Sequence, residues 1–330
     1  MKFNFNIFGG SDAASTALID VSPIEKEGDT MADSALHKPV MFKEVLSMLN
    51  LKDGMVVLDA TLGLGGHSAG IAEKIMPHGR LIGMDKDDEA LNIARQNLEP
   101  FAKRSCFVHE DFRNLDKVLE DCGISLLDAV LFDLGVSSFQ LDSASRGFSI
   151  KSEGPLDMRM DRNSFISAYD LVNTLTEEEI SSILWRFGQE RFSYRIAREI
   201  IRARKAAPLS STHQLAELVL KALPYKARFH HRIHPATRTF QALRIAVNRE
   251  LDALDEALKK AALFLNKGGR ICVISFHSLE DKIVKENFRQ LAKTGQFRLV
   301  FKKVLLPSEE EEKDNPRSRS AKMRVIERVG

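Results

Sequence analysis

An apolar run, Met55–Leu58, ends in Asp59-Ala-Thr-Leu-Gly-Leu-Gly-Gly-His67 and passes directly into a helical pattern. No other stretch restricts the fold as much. A strand that turns through glycines into a helix leaves a gap in which the first helical N–H groups have no internal partner, and glycine lets a ligand approach that gap closely. The alternation of short apolar strands and helices continues around this unit. Strands are predicted at Met55–Asp59, Arg80–Asp85, Ser105–His109 and Asp128–Asp133, and helices at Val40–Leu49, His67–Ile75, Asp87–Leu98 and Asn114–Asp121. That order specifies a parallel sheet with helices on both faces.

The pattern stops there. Residues from about 142 to about 240 carry helical periodicity and loops without a strand. The alternation resumes with one long helix over about Thr239–Leu265, a Lys-Gly-Gly turn, an apolar strand Arg270–Ser275 and a helix Leu279–Leu291. Two last strands, about Phe297–Val304 and Met323–Arg328, flank an acidic loop, Glu309–Asp314, and can close the sheet as an antiparallel edge. The expected fold is therefore α/β: a Rossmann-like seven-stranded sheet with an inserted, mainly helical second domain. The expected boundaries are a mobile leader at 1–36, a sheet domain at 37–141 and 239–330, and the insertion at 142–238. The insertion follows the carboxyl end of the fourth strand, the rim where open α/β sheets bind ligands.

The glycine run lacks the Lys-Ser/Thr ending of a phosphate loop. It also departs from a dinucleotide fingerprint, because Ser68 stands where the third glycine would be. Asp85 ends the second strand, where a carboxylate can hold a ribose diol. An adenosine compound with no pyrophosphate to cradle fits this combination, and S-adenosylmethionine is such a compound.

The formal net charge of +2 conceals a strong asymmetry. Between Arg186 and Arg249 lie fourteen Lys/Arg against three acids, Glu190, Glu199 and Glu217, together with His213, His230, His231 and His234. A basic block on a lobe beside the ligand rim suggests a polyanionic partner, although a solvated helix surface balanced elsewhere has the same composition. Cys106, Cys122 and Cys272 are far apart in sequence and form no metal-ligand motif, which suits a reducing compartment. No apolar run approaches the ~20 residues that span a bilayer. The leader has acids, no Arg and no long apolar stretch, unlike a secretory or mitochondrial targeting segment. His230 and His234 have a helical spacing, but Pro235 and the lack of a nearby Cys or carboxylate argue against a metal.

Several blocks together resemble the 16S ribosomal RNA cytosine-N4 methyltransferase family. They are Asp59–Ser68, Leu131-Phe-Asp-Leu-Gly-Val-Ser-Ser138, Arg146-Gly-Phe-Ser149, Gly154-Pro-Leu-Asp-Met-Arg-Met160, His234-Pro-Ala-Thr-Arg-Thr-Phe-Gln-Ala-Leu-Arg244, Ser275-Phe-His-Ser-Leu-Glu-Asp281 and Asn315-Pro-Arg-Ser-Arg-Ser320. They run in family order from about His37 to the end of the chain. Phe139, where the family pattern has Pro, and the extra Arg232-Ile233 are departures. The resemblance implies a methyltransferase sheet, S-adenosylmethionine as cofactor, and small-subunit ribosomal RNA or the assembled small ribosomal subunit as partner, in the cytoplasm. The target it implies is the N4 amino group of a cytosine in the decoding centre. It also implies cofactor contacts from Gly65, Gly66, His67, Asp85, Phe112, Asp133 and Gln140.

Methyl transfer from a sulfonium requires no metal and draws on orientation and water exclusion. Cytosine N4 is a poor nucleophile, so a hydrogen-bond acceptor at the fourth strand's tip, Asp133, is the candidate catalytic group; it can equally hold the cofactor or cap a turn. The target base has to leave its stack. Phe139 and Phe148 are candidates to stack on it, although either could anchor the insertion. Arg146, Arg159, Arg238, Arg244, Arg317 and Arg319 are candidates for phosphate. His277, at the end of the fifth strand, is a candidate RNA contact or a buried, hydrogen-bonded histidine. Two rival readings stay open: a nicotinamide-dependent dehydrogenase, and an RNA-binding assembly factor with a vestigial cofactor fold. Oligomeric state has no signature, and a homodimer is compatible with the chain.

Overall fold

The protein's structure, a computed structural model, describes residues 39–229 and 234–330. The leader, the histidine pair His230-His231 and the extra Arg232-Ile233 lie outside the described residues. The strands are β1 (Val56–Asp59), β2 (Arg80–Asp85), β3 (Ser105–His109), β4 (Leu127–Asp133), β5 (Leu265–Ser275), β6 (Phe297–Leu299) and β7 (Lys322–Arg328). They form one sheet in the order β3-β2-β1-β4-β5-β7-β6. The first five pair in parallel, and β7 runs antiparallel to both β5 and β6.

Alternation along each strand explains the two layers. Leu58, Ile82, Val130, Phe132, Ile271 and Val273 share one apolar cluster. Their neighbours Val57, Leu81, Ala129, Leu131, Cys272 and Ile274 share the other. Both sets are essentially unexposed, as expected where helices cover both faces of parallel strands. The first five helices are α1 (Phe42–Met48), α2 (Gly66–Ile75), α3 (Asp88–Asn97), α4 (Leu115–Asp121) and α5 (Ser138–Asp142). Val45 of α1 and Ile71 and Ile75 of α2 pack on the second face, and Val118 and Leu119 of α4 on the first.

The inserted segment carries α6 (Ala168–Thr174), α7 (Glu177–Gly188), α8 (Ser193–Arg204), α9 (Thr212–Ala222) and α10 (Tyr225–Phe229). Three of these begin with a capping box: Ser167 with Asp170, Thr176 with Glu179, and Ser211 with Gln214. Their apolar faces bury Val172, Ile180, Leu184, Ile196, Ile200, Leu215 and Val219 in a cluster separate from the sheet's.

Four elements differ from expectation, the first being β6, which ends at Leu299 and not near Val304. The long helix over Thr239–Leu265 is two helices, α11 (Thr237–Asn248) and α12 (Glu250–Leu263), with Arg249 between them in the left-handed region at φ 50°. Phe240, Ala242 and Leu243 of α11 belong to the lobe's cluster, whereas Leu254, Ala257 and Leu258 of α12 belong to the sheet's. The chain thus returns to the sheet at Arg249. The Lys-Gly-Gly turn lies inside β5, where the register against β4 jumps from Leu127–Leu265 to Ala129–Arg270 and Gly268 takes φ +83°. After α13 (Ser278–Lys293), the acidic segment is a helix, α14 (Glu309–Asp314), capped by Ser308, and not a loop. Glu311 accepts a hydrogen bond from the N–H of Met41 at 2.5 Å, which holds α14 against the entry to α1. The fold also brings together two cysteines that are far apart in sequence: Cys106 Sγ and Cys122 Sγ lie 2.7 Å apart. Among the described residues no helix is long and apolar enough to cross a membrane.

Candidate active site

The carboxyl ends of β1, β2 and β4 carry the site. At the tip of β1 the chain turns through Gly63 and Gly65, both with positive φ, into α2. Added Cβ atoms would come within 2.9 Å of Leu98 at Gly65 and 2.7 Å of Pro39 at Gly66, so neither position has room for a side chain. Asp85, at the tip of β2, accepts hydrogen bonds from the N–H of Gly63 at 2.7 Å and of Asp87 at 2.9 Å. Its carboxylate is therefore fixed under the glycine turn. Burial pushes its pKa above the ordinary value.

His67 is 6% exposed and stacks on Phe42, with ring centres 5.9 Å apart. Among the described residues neither ring nitrogen makes a hydrogen bond, and Nε2 lies 3.5 Å from Asp133 Oδ2. Asp133 Oδ1 and Ser138 Oγ are also buried without partners. Buried polar atoms are almost always satisfied, so the unpartnered atoms of the adjacent His67 and Asp133 indicate a place for a polar ligand. Thr61 Oγ1 accepts the N–H of Asp133 at 2.7 Å, which locks the β1 and β4 tips together.

Asp59 lies beneath, 1% exposed, accepting a bond from Ser68 Oγ at 2.7 Å. Burial dominates and pushes its pKa up to about 6. Asp59 and Asp85, both pushed up by burial, lie at neighbouring strand tips, and perturbed titratable groups so gathered are a common mark of a functional site. The sequence reading named Asp59 only as the start of the glycine turn. Its position at a strand tip was the available signal.

The remaining cofactor candidates stand close by. Phe112 follows β3 and meets Phe132 of β4 edge-on at 5.8 Å. Gln140 is buried, accepts the N–H of Ser137 at 3.0 Å and donates to Asp87 Oδ2 at 2.6 Å. The contacts of an S-adenosyl compound can be met here: Asp85 for a ribose diol, carboxylates for a cationic sulfonium, and unpaired polar atoms for its amino and carboxyl groups.

Most of the RNA candidates are placed differently. Arg146 is 1% exposed and paired with Asp87 and Glu89, so it is not available to phosphate. Phe148 belongs to the lobe's core and cannot stack on a base. Arg159 spends its guanidinium on Asp157 and on the carbonyls of Arg162 and Ser164. Arg244 is held by Glu250 through two bonds, at 2.9 and 2.8 Å. His277, partly buried, caps α13 by accepting the N–H of Glu280, a structural role. Arg317 pairs with Asp142 at 3.0 Å on the surface. Phe139 is half-buried, and Arg238 and Arg319 are exposed without an ion pair among the described residues. Glu250, His277 and Glu280 bring ligand-type atoms within 4.8 Å of one another, but the Arg244 guanidinium already supplies their positive charge.

The lobe presents another surface that the sequence reading did not single out. Trp185 is 60% exposed on α7 and Tyr194 51% exposed on α8, with the Arg198 guanidinium 4.8 Å over the Tyr194 ring. Arg191, Arg195, Lys205, Lys226 and Arg238 are exposed nearby in sequence and make no ion pair among the described residues. The signal was legible: Trp185 falls next to the buried stripe of Ile180 and Leu184, on the polar side of an amphipathic helix.

Residues 34–329 match the MraW methylase family. The chain is 46% identical over 308 residues to the ribosomal RNA small subunit methyltransferase H of Brevibacillus brevis, covering 89% of this chain and 98% of that protein. It is equally identical over the same length to the protein of that name from a Geobacter species, with the same coverage, and 44% identical to one from Clostridium botulinum over 89% of this chain and 99% of that protein. With a family match across the sheet, the crevice and the lobe alike, the chain belongs to the MraW methylase family and is a methyltransferase that uses S-adenosylmethionine.

Proposed function

We propose that the protein transfers the methyl group of S-adenosylmethionine to the N4 amino group of a cytosine in the decoding centre of 16S ribosomal RNA, in the cytoplasm. The observation that carries this reading is the near full-length likeness to small-subunit ribosomal RNA methyltransferases, joined to a crevice of unsatisfied polar atoms at the tips of β1 and β4. When bound, the cofactor supplies an electrophilic methyl group. Gly65 and Gly66 let the turn pack against Leu98 and Pro39 and so fix its path beside the cofactor, Asp85 accepts from the ribose hydroxyls, and Phe112 and Gln140 border it. His67 and Asp133 face the reacting end. Asp133 serves as acceptor for the amino group of the target base, whose lone pair becomes available as that nitrogen turns tetrahedral. The segment 142–238 is the RNA-recognition domain, and α11, which shares its core, moves with it.

The RNA-facing residues of this proposal are Phe139, Arg238 and Arg319, with Trp185, Tyr194, Arg191 and Arg195. Aromatic stacking and unpaired cations suit single-stranded RNA. The vestigial assembly-factor alternative is disfavoured by the integrity of the crevice, and a dehydrogenase by the absence of a third glycine and of a pyrophosphate cradle.

The test is to incubate the protein with tritiated cofactor and either free 16S RNA or undermethylated small subunits, then map the modified nucleotide by mass spectrometry. N4-methylcytosine in the decoding region is expected; RNA binding without any methyl transfer refutes the proposal. Comparison of the two substrates decides between free RNA and the assembled particle, and sedimentation of the enzyme tests a homodimer. Asp85→Ala is expected to weaken S-adenosylhomocysteine binding by about 1–3 kcal/mol, read by calorimetry; unchanged affinity removes Asp85 from the site.

A further inference from the structure

Arg146 is among the largest fully buried side chains of the protein, and its guanidinium joins three parts of the chain. It donates to Asp87 at 2.8 Å and to Glu89 at 2.9 Å, at the start of α3, and to the carbonyls of Arg159 at 3.1 Å and Met160 at 2.7 Å in the inserted segment. Asp87 is unexposed and works in three directions. Its Oδ1 caps α3 through the N–H groups of Glu89 and Ala90, its Oδ2 takes Gln140 and Arg146, and its own N–H donates to Asp85 at 2.9 Å. One continuous chain of polar contacts therefore runs from the lobe through Arg146 and Asp87 to Asp85 and on to the N–H of Gly63. The lobe side is braced independently, since Asn248 binds the N–H of Met160 and the carbonyl of Met158.

We infer that Arg146 is a positioning residue for the cofactor: by neutralising the buried Asp87 it holds the Asp85 carboxylate ionised and in place for the ribose diol. The inference rests on the assignment of Asp85 to the cofactor made above. Its physical basis is that the half-buried Asp85 and the unexposed Asp87 are two carboxylates in direct backbone contact, and a like charge disfavours the ionised form of its neighbour. Lys86 also favours the ionised form of Asp85, but it and the other nearby cations are shared with other groups. Lys86 faces Asp111 at 3.6 Å, Arg162 faces Glu89 at 2.8 Å, and His109 contacts the Lys86 carbonyl at 2.9 Å and lies 3.9 Å from Asp161. Asp88 and Glu110 add only negative charge. Burial raises the Asp85 pKa most, the bonds from the Asp87 and Gly63 N–H groups pull it back down, and the Asp87 charge pushes it up again.

A purely structural ion pair and an electrostatic support give opposite answers when the pair is broken from its two sides. Arg146→Met leaves the Asp87 carboxylate beside Asp85 without its guanidinium partner, whereas Asp87→Asn removes that negative charge and leaves Arg146 paired with Glu89. Affinity for S-adenosylhomocysteine is measured by calorimetry on the full chain, with melting curves to confirm folding. Arg146→Met is expected to weaken binding by about tenfold or more, while Asp87→Asn stays within about threefold of the unsubstituted protein. Arg146→Met/Asp87→Asn, which strands no charge on this pair, is expected to bind within about threefold as well, and carries the test if Arg146→Met does not fold. Equal losses in Arg146→Met and Asp87→Asn, or a double variant as weak as Arg146→Met, overturn the inference. An Asp85→Ala control separates the two readings. If it leaves affinity unchanged, the assignment of Asp85 fails; if it weakens binding while Arg146→Met does not, only the role of Arg146 fails.

Discussion

Replacing Asp59 by Asn tests whether the floor of the crevice is as dry as its packing indicates. The carboxyl group is 1% exposed and receives bonds from Ser68 Oγ at 2.7 Å and the N–H of Thr61 at 3.2 Å. Burial outweighs both, so the folded pKa rises from 3.8 to about 6. A carboxyl whose folded pKa is raised binds its proton more tightly in the folded chain than in the unfolded one. Its ionisation therefore destabilises the fold, by nothing below the unfolded pKa and in full above the folded one. The interval from 3.8 to about 6, at 1.36 kcal/mol per pH unit, corresponds to a penalty of about 3 kcal/mol above neutral pH. Roughly half of it develops between pH 5 and pH 8, the rest at lower pH. Asn keeps the shape and can still bond Thr61 and Ser68, but it does not titrate. In urea unfolding followed by far-ultraviolet circular dichroism, Asp59→Asn is expected to gain stability relative to the unsubstituted protein as pH rises across this window. A difference that stays flat, or that narrows toward pH 8, refutes the buried carboxyl.

Two other outcomes follow from the same structure. Arg244→Met leaves Glu250 buried and unpaired and is expected to destabilise the protein by about 3–5 kcal/mol in denaturant titration, whereas Arg244→Met/Glu250→Leu recovers most of the loss. Trp185→Ala, at an exposed position, is expected to leave stability within about 0.5 kcal/mol yet weaken binding of single-stranded RNA by about 1–3 kcal/mol in a filter or fluorescence assay.

The central strands and crossover helices were legible because each carries its own local signal. Arg80–Asp85 and Ser105–His109 are short apolar runs bounded by polar turns, and they fold within those bounds. Elements set by distant contacts were not legible. Nothing at Arg249 marks a helix break, since no Gly or Pro stands there. The break accompanies the anchoring of Asn248, whose side chain reaches Met158 and Met160 and whose carbonyl takes Lys86 at 3.3 Å. Arg146 shows the same limit at the site. Counting charges treats it as a surface cation because its partners Asp87 and Glu89 lie more than fifty residues upstream. The acidic helix was readable and was missed: Ser308 followed three residues later by Glu311 is a helix-start pattern. The glycine turn and Asp85 could be picked out as a candidate site because strand tips gather in a parallel sheet, whereas His67 and Asp133 entered as cofactor contacts through the family resemblance.

The position of β7 bears on how the chain is made. The segment Lys322–Arg328 leaves the ribosome after all other strands, yet it belongs between two of them. Until it arrives, β5 offers a bare backbone from Arg270 to Ser275, and Phe297–Leu299 has no ladder to join. A message truncated just before Lys322 would therefore yield a protein with two unpaired edges rather than one strand fewer, and exposed edges of that kind recruit other chains.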